Sequence, residues 1–357
     1  MEKIMKRQIK VGNIKIGGGA PVSIQSMTKT DTRDIPGTIR QIKELEKSGC
    51  EIIRVAIKDL EAARAIKAIK RKINLPLVAD IHFDYRLALR AIENGADKIR
   101  LNPGNIYKED EIKEVVKLAK KRKIPIRVGA NSGSIRDKGK SAAESMVKSA
   151  IDYIKILERM DFYDIIVSLK ASSVLSTIEA YKLFSKKSKY PLHLGVTAAG
   201  PVSTGIVKSS IGIGALLLDG IGDTIRVSLT GDPVEEVIAA KNILQALELR
   251  NFGPEIISCP TCGRCQVDLQ SIAEQISSRL KAQGSREKYN LFPRALSFKI
   301  AVMGCEVNGP GEAKEADIGI ACGKGTGVIF KKGKLIKRVK EKDIVKELLK
   351  NITTLHL

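Results

Sequence analysis

The 357-residue sequence predicts an α/β protein, a (β/α)8 TIM barrel (residues 1–252) followed by a small α+β domain (residues 253–357). Three observations predict it. Eight short apolar runs alternate with helix-length segments, the count that closes a parallel barrel in about 250 residues. The alternation stops at Asn251-Phe252-Gly253-Pro254. Beyond that turn the composition changes, and five of the six cysteines fall there, four of them in the Cys259–Cys265 run and at Cys305. A doubly wound sheet is the competing architecture, but it leaves the count of eight unexplained.

After a short basic N-terminal segment, the strand candidates are 21–27, 51–57, 75–81, 98–102, 124–130, 164–170, 191–197 and 224–229. Between them the apolar positions take helical spacing, as at Ala62, Ala65, Ile66 and Ile69, and at Ile112, Val115, Val116 and Ala119. Ser48-Gly49 and Asn94-Gly95 look like helix exits. Asp232, Pro233 and Glu235 look like the cap and first turn of the last barrel helix. In the second domain, 267–283 is helical, 285–293 a polar connection and 298–302 a strand running into Cys305. Residues 317–321 and 327–339 are further strands, the latter a hairpin around Lys332-Gly333, and 341–349 is a closing helix.

Composition narrows the class of function. Apolar residues make up 43% of the chain, enough for a core, and no run of about 18 apolar residues or secretory h-region occurs. Membrane spans and export are therefore not expected, and clustered cysteines in a chain of this size fit metal ligation in a reducing cytoplasm better than disulfides. The net charge of +22 invites a nucleic-acid reading. Its lysines, however, are spread over helix faces (Lys113, Lys117, Lys120, Lys121) without an aromatic-interleaved patch. An acidic protein partner or a phosphorylated substrate suits the same field, and no nucleic acid is expected.

A repeat runs through the strands. Glu51-Ile52-Ile53-Arg54-Val55, Asp97-Lys98-Ile99-Arg100-Leu101 and Asp223-Thr224-Ile225-Arg226-Val227 share one pattern, acidic-x-Ile-Arg-aliphatic. These are barrel strands 2, 4 and 8, and alternate strands feed one interior layer, so three arginines are expected to face one another. Arginine keeps its proton, and the cluster needs a counter-anion; buried carboxylates could serve, and a bound multivalent anion is the favoured expectation. Polar residues two apart lie on one strand face near the strand ends: Asp80/His82, Arg100/Asn102, Ser168/Lys170, His193/Gly195 and Arg226/Ser228. Arg127 and Asn131 join them, and the set has the composition of a diphosphate pocket.

The second domain carries Cys259-Pro260-Thr261-Cys262-Gly263-Arg264-Cys265, answered by Cys305 and the carboxylate of Glu312. Closely spaced thiolates serve zinc or iron–sulfur centres. A zinc site usually closes with a second tight Cys or His pair, absent here, whereas three thiolates and an oxygen suit a cluster with one exchangeable iron. Cys50 and Cys322 lie in or beside apolar strands and read as core cysteines.

With these motifs in place, the sequence resembles the 4-hydroxy-3-methylbut-2-enyl diphosphate synthase family in its two-domain bacterial form. The resemblance rests on 22–27 (Val-Ser-Ile-Gln-Ser-Met), 124–131, Ser168-Leu169-Lys170-Ala171-Ser172, His193-Leu194-Gly195-Val196-Thr197, 258–264 and 304–313 (Gly-Cys-Glu-Val-Asn-Gly-Pro-Gly-Glu-Ala), and it covers essentially the whole chain. It implies reductive ring opening of 2-C-methyl-D-erythritol 2,4-cyclodiphosphate, with two electrons from reduced ferredoxin or flavodoxin, in non-mevalonate isoprenoid synthesis. It implies a [4Fe–4S] cluster on Cys259, Cys262 and Cys305, with Glu312 as the displaceable fourth ligand. By the same resemblance Arg54, Arg100, Asn102, Arg127, Asn131, Lys170, Arg226 and Ser228 bind the diphosphate, Asp80 and His82 lie beside it, and the protein is a homodimer. Two departures stand out. Cys265 adds a third cysteine to the run, so spacing alone leaves the ligating pair ambiguous. Ala198 occupies the position where the family carries a Glu suited to protonating the leaving hydroxyl. The competing reading is a zinc-bearing barrel enzyme acting on a phosphorylated or pterin substrate.

Overall fold

The computed structural model describes residues 6–135, 141–284, 298–305, 307, 309–314 and 316–353. The chain opens on a hairpin that the sequence reading treated only as a basic segment, β1 (Ile9–Val11) and β2 (Ile14–Ile16), paired antiparallel. Its three-residue strands are too short for periodicity to register. Their apolar sides matter nonetheless: Ile9, Val11 and Ile16 pack with Ile52, Val78 and Ile166 from the starts of three barrel strands. The hairpin thus plugs the N-terminal end of the barrel.

Strand and helix then alternate eight times. The order is β3 (Ser23–Met27), α1 (Ile35–Ser48), β4 (Ile52–Ile57), α2 (Leu60–Lys70), β5 (Leu77–Ile81), α3 (Tyr85–Glu93), β6 (Lys98–Leu101) and α4 (Glu109–Arg122). It continues with β7 (Ile126–Asn131), α5 (Ala142–Arg159), β8 (Ile165–Lys170), α6 (Val174–Lys187), β9 (His193–Leu194), α7 (Val202–Leu218), β10 (Thr224–Ile225) and α8 (Pro233–Ala246). All neighbours pair in parallel, in the order β8-β7-β6-β5-β4-β3-β10-β9, and a bridge between Val167 and Leu192 joins the two ends into a ring. The barrel fold read from the sequence is the observed one.

Local chemistry explains the boundaries. The side chains of Asp34, Asp59, Asp84, Ser141, Ser173 and Asp232 cap helices by accepting backbone N–H bonds in the first turn. Gly49, at φ 103°, ends α1 in the left-handed region that glycine reaches without Cβ strain. Two strands are much shorter than 191–197 and 224–229: regular pairing stops at Leu194 and Ile225, where the next inward positions accommodate charged side chains.

The second unit is a five-stranded mixed sheet in the order β11-β12-β13-β14-β15, parallel over the first three strands and antiparallel over the rest. It comprises β11 (Glu255–Ser258), α9 (Leu269–Gly284), β12 (Lys299–Met303), α10 (Gly309–Lys314), β13 (Ile318–Gly323), β14 (Thr326–Lys331), β15 (Lys334–Lys340) and α11 (Ile344–Thr353). Ile276, Ile300, Val302, Ile318, Ile320, Ile329 and Leu348 form its core. The β14–β15 turn puts Lys332 and Gly333 both at positive φ, the backbone of a tight hairpin. Strand β11 escaped the sequence reading because its four residues are half-buried or exposed. The connection expected at 285–293 lies outside the described residues. By internal contacts the chain divides into Met1–Arg250 and Asn251–Leu357.

Candidate active site

The C-terminal ends of the barrel strands gather charge around two buried carboxylates. Asp80, on β5, is 4% exposed; its Oδ1 lies 3.4 Å from Arg100 Nη1, and its Oδ2 lies 3.8 Å from Arg54 Nε and 3.4 Å from His82 Nε2. Burial pushes the Asp80 pKa up, but Arg54, the His82 hydrogen bond, Arg100 and Arg127 together outweigh burial and hold the carboxyl far below its usual range. Glu236, on α8 and 1% exposed, accepts from Arg226 Nε (3.1 Å) and Nη2 (3.1 Å) and from the Leu229 N–H (3.1 Å). Arg226 Nη1 also donates to Ser228 Oγ at 2.7 Å.

The three repeated arginines are therefore compensated by carboxylates: Arg54 and Arg100 share Asp80, and Arg226 is held by Glu236. Of the two counter-charges considered for them, buried carboxylates and a bound anion, the carboxylates are present in the structure. The uncompensated charge lies elsewhere. Arg127 and Lys170 are buried, and among the described residues neither has a carboxylate within ion-pair distance. Burial lowers the Lys170 pKa well below its ordinary value, and Arg54, Arg127, Arg226 and Arg100 lower it further. These are the electrostatics of a site suited to an anion.

Two glycines make room for the cations. A Cβ on Gly129 would lie 2.5 Å from Arg100 Nε, and one on Gly195 would lie 2.6 Å from Lys170 Nζ and 2.5 Å from the Arg226 carbonyl. Asn131, oriented with its amide oxygen toward Arg100, accepts from Nη2 at 3.3 Å. Asn102 is buried and donates to Ser134 Oγ at 2.9 Å. Ala198 stands in the exposed turn after β9, at φ 50°. Sequence reasoning missed Glu236 and Lys98. Glu236 sits on the buried helical spacing with Val237, Ala240 and Leu244, and Lys98 sits two residues before Arg100, so both periodicities carried the signal.

In the second unit, Cys259 follows β11 directly and Cys305 follows β12 after Gly304, so both stand at the C-terminal ends of adjacent parallel strands. The Gly304 N–H donates to Cys259 Sγ at 3.3 Å. Cys262 is exposed and Cys305 buried. Cys265 turns inward, packs on the domain core and donates to the Val267 carbonyl at 3.3 Å. Glu312 belongs to α10, and its side chain lies outside the described residues. Among the described residues no three Cys, His, Asp or Glu side chains are drawn together as a metal shell. The donor set nevertheless fits iron: soft sulfurs on two adjoining loops, one already accepting a backbone N–H as iron-bound thiolates do. Cys50 and Cys322 are buried core residues, as expected, and burial pushes both thiols up to about 12.

A cation-lined (β/α)8 barrel followed by a thiol-bearing α/β domain defines a two-domain enzyme for an anionic substrate. Residues 6–241 match the model of the GcpE TIM-barrel domain and residues 255–354 that of the GcpE protein C-terminal domain. The chain belongs to the GcpE family. It is 58% identical over 353 residues to the 4-hydroxy-3-methylbut-2-en-1-yl diphosphate synthase (flavodoxin) of Caldanaerobacter subterraneus subsp. tengcongensis, covering 98% of this chain and 96% of that one. To the synthase of the same name from Clostridium perfringens it is 56% identical over 360 residues, covering 99% and 100%. A dihydropteroate synthase of Xanthomonas albilineans, 10% identical with a TM-score of 0.50, covers 68% of this chain and 98% of that one, a likeness of barrel fold alone. Among the described residues no helix is long and apolar enough to cross a membrane.

Proposed function

We propose that this protein reductively opens 2-C-methyl-D-erythritol 2,4-cyclodiphosphate to 4-hydroxy-3-methylbut-2-enyl diphosphate, using electrons from flavodoxin or ferredoxin, as a cytoplasmic homodimer. The observation that carries the reading is the surplus of buried cations at the barrel's C-terminal end, alongside near-full-length identity to synthases of that name. Arg54, Arg100, Arg127, Lys170 and Arg226 hold the diphosphate, and Asn102, Asn131 and Ser228 orient it. Opening the ring adds negative charge to the diphosphate as a carbon–oxygen bond breaks. Fixed cations in a water-poor site stabilise that gain without reorganising. Ionised Asp80 keeps Arg54 and Arg100 aligned, and His82 stands half-exposed beside it at 3.4 Å. Cys259, Cys262, Cys305 and Glu312 would hold a [4Fe–4S] cluster, which would supply electrons one at a time, with Glu312 the hard oxygen donor in an otherwise thiolate set.

Anaerobic purification tests the reading. A brown protein with about four irons per chain is expected, and Cys305→Ser should lose the cluster, since no other thiol adjoins Cys305 in sequence. A colourless protein with stoichiometric zinc would replace the cluster reading with the zinc-enzyme reading. A full cluster in Cys305→Ser would overturn the ligand set.

A further inference from the structure

The barrel holds a second polar layer beneath the arginines. Lys98 precedes Arg100 by two residues on β6, so it shares the inward face and lies roughly 6–7 Å deeper. It is 0% exposed. Its Nζ lies 3.5 Å from Gln25 Oε1, which also accepts from Arg127 Nη1 at 3.4 Å. Gln25 is on β3 and Lys98 on β6, three strands round the ring, so the contact spans the barrel interior.

The surrounding polar groups are short of partners. Gln25 Nε2, Arg127 Nε, the hydroxyls of Ser23 and Thr224, and both ring nitrogens of His193 are buried without a hydrogen-bond partner among the described residues. Thr224 is in register with Ser23 on one side and with His193 on the other, so the three form one row on one face. Lys98 Nζ, Arg127 Nε and Gln25 Nε2 can only donate, Lys98 and Arg127 already share the Gln25 carbonyl oxygen, and an oxyanion accepts without needing to donate. Buried donors left unpaired are costly, and a lone buried ammonium is costlier still. Burial, then Arg127 and Arg54, drives the Lys98 pKa well below its ordinary value.

We infer that Lys98, flanked by Gln25 and His193, is the floor of the anion pocket and binds a phosphoryl oxygen that passes below the arginine layer. The inference rests on the diphosphate reading of the same barrel and adds to it a specificity-determining residue. A phosphoryl oxygen at this level faces polar side chains from β3, β6, β7, β9 and β10.

The test uses the full chain, inorganic diphosphate as the probe, and roughly 0.3 M salt to screen surface lysines. Binding is measured by calorimetric titration, and the melting temperature is measured with and without diphosphate. Lys98→Met should melt, without diphosphate, at or above the parent's temperature, because an uncompensated buried charge has gone. It should bind diphosphate at least tenfold more weakly, with a correspondingly smaller ligand-induced rise in melting temperature. A Lys98→Met chain that fails to fold, or that melts lower yet binds diphosphate like the parent, overturns the inference by showing a structural lysine. Arg100→Met separates the two levels of argument. If Arg100→Met loses affinity and Lys98→Met does not, the floor assignment falls and the pocket stands. If neither loses affinity, the diphosphate reading falls with it.

Discussion

The Asp80 carboxylate lies 3.4 Å from the Arg100 guanidinium, both inside the barrel and both only 4% exposed. Asp80 also faces Arg54 at 3.8 Å, so one carboxylate organises two of the cations assigned to the diphosphate.

Asp80→Asn should therefore destabilise the ligand-free protein by about 3–5 kcal/mol, since it leaves the buried Arg100 and the partly buried Arg54 guanidinium groups uncompensated. Diphosphate should raise the variant's melting temperature by more than the parent's. The folded-state pKa of Asp80 is depressed, so its contribution is complete above its ordinary value of 3.8 and is lost as pH falls toward the folded value. The stability gap between parent and variant should thus hold through neutral and mildly acid pH and narrow below about 3.8. A gap already closed at neutral pH would show that Asp80 does not neutralise these arginines.

Gly195→Ala tests whether the space beside Lys170 is needed. The new methyl would meet the Arg226 carbonyl at 2.5 Å and Lys170 Nζ at 2.6 Å; the lysine tip can swing away but the backbone cannot. A cost of about 1–3 kcal/mol in chemical denaturation is expected, as for other overpacked sites, together with weakened diphosphate binding. Parent-like stability and affinity would mean that the strand end accommodates a side chain after all.

Ala198 calls for a gain rather than a loss. Its backbone already occupies the left-handed region at φ 50°, so Ala198→Glu adds a carboxyl to an exposed turn with no further change of backbone class. If this position supplies the proton for the leaving hydroxyl, Ala198→Glu should raise turnover of the cyclodiphosphate by as much as about 10²–10⁴-fold with substrate affinity nearly unchanged. Equal turnover in the two proteins would remove the proton-donor role from this position.

Much of this molecule was legible without coordinates, for reasons that differ by element. Barrel strands such as Ile52–Ile57 and Ile165–Lys170 are buried over most of their length, so composition alone marks them. Asp232 and Gly49 announce helix ends because capping is local chemistry. The arginine repeat was visible because residues two apart share a strand face whatever the rest of the chain does. The spacing of Cys259 and Cys262, with Cys305 to follow, suggests a metal for a similar reason: thiol spacing is read directly along the chain.

What tertiary structure decided is which charges meet. Nothing local tells that Glu236, a helix residue ten positions after Arg226, turns inward to hold it, or that Asp80 serves Arg54 and Arg100 together. The hairpin of Ile9–Val11 and Ile14–Ile16 has meaning only against the barrel end it plugs. The surplus of donors around Lys98 exists only once β3 and β6 stand on opposite sides of one interior. Periodicity reports the face a side chain takes on its own element. Coulomb energy and hydrogen-bond satisfaction depend on distances between elements, which are set only when the ring closes.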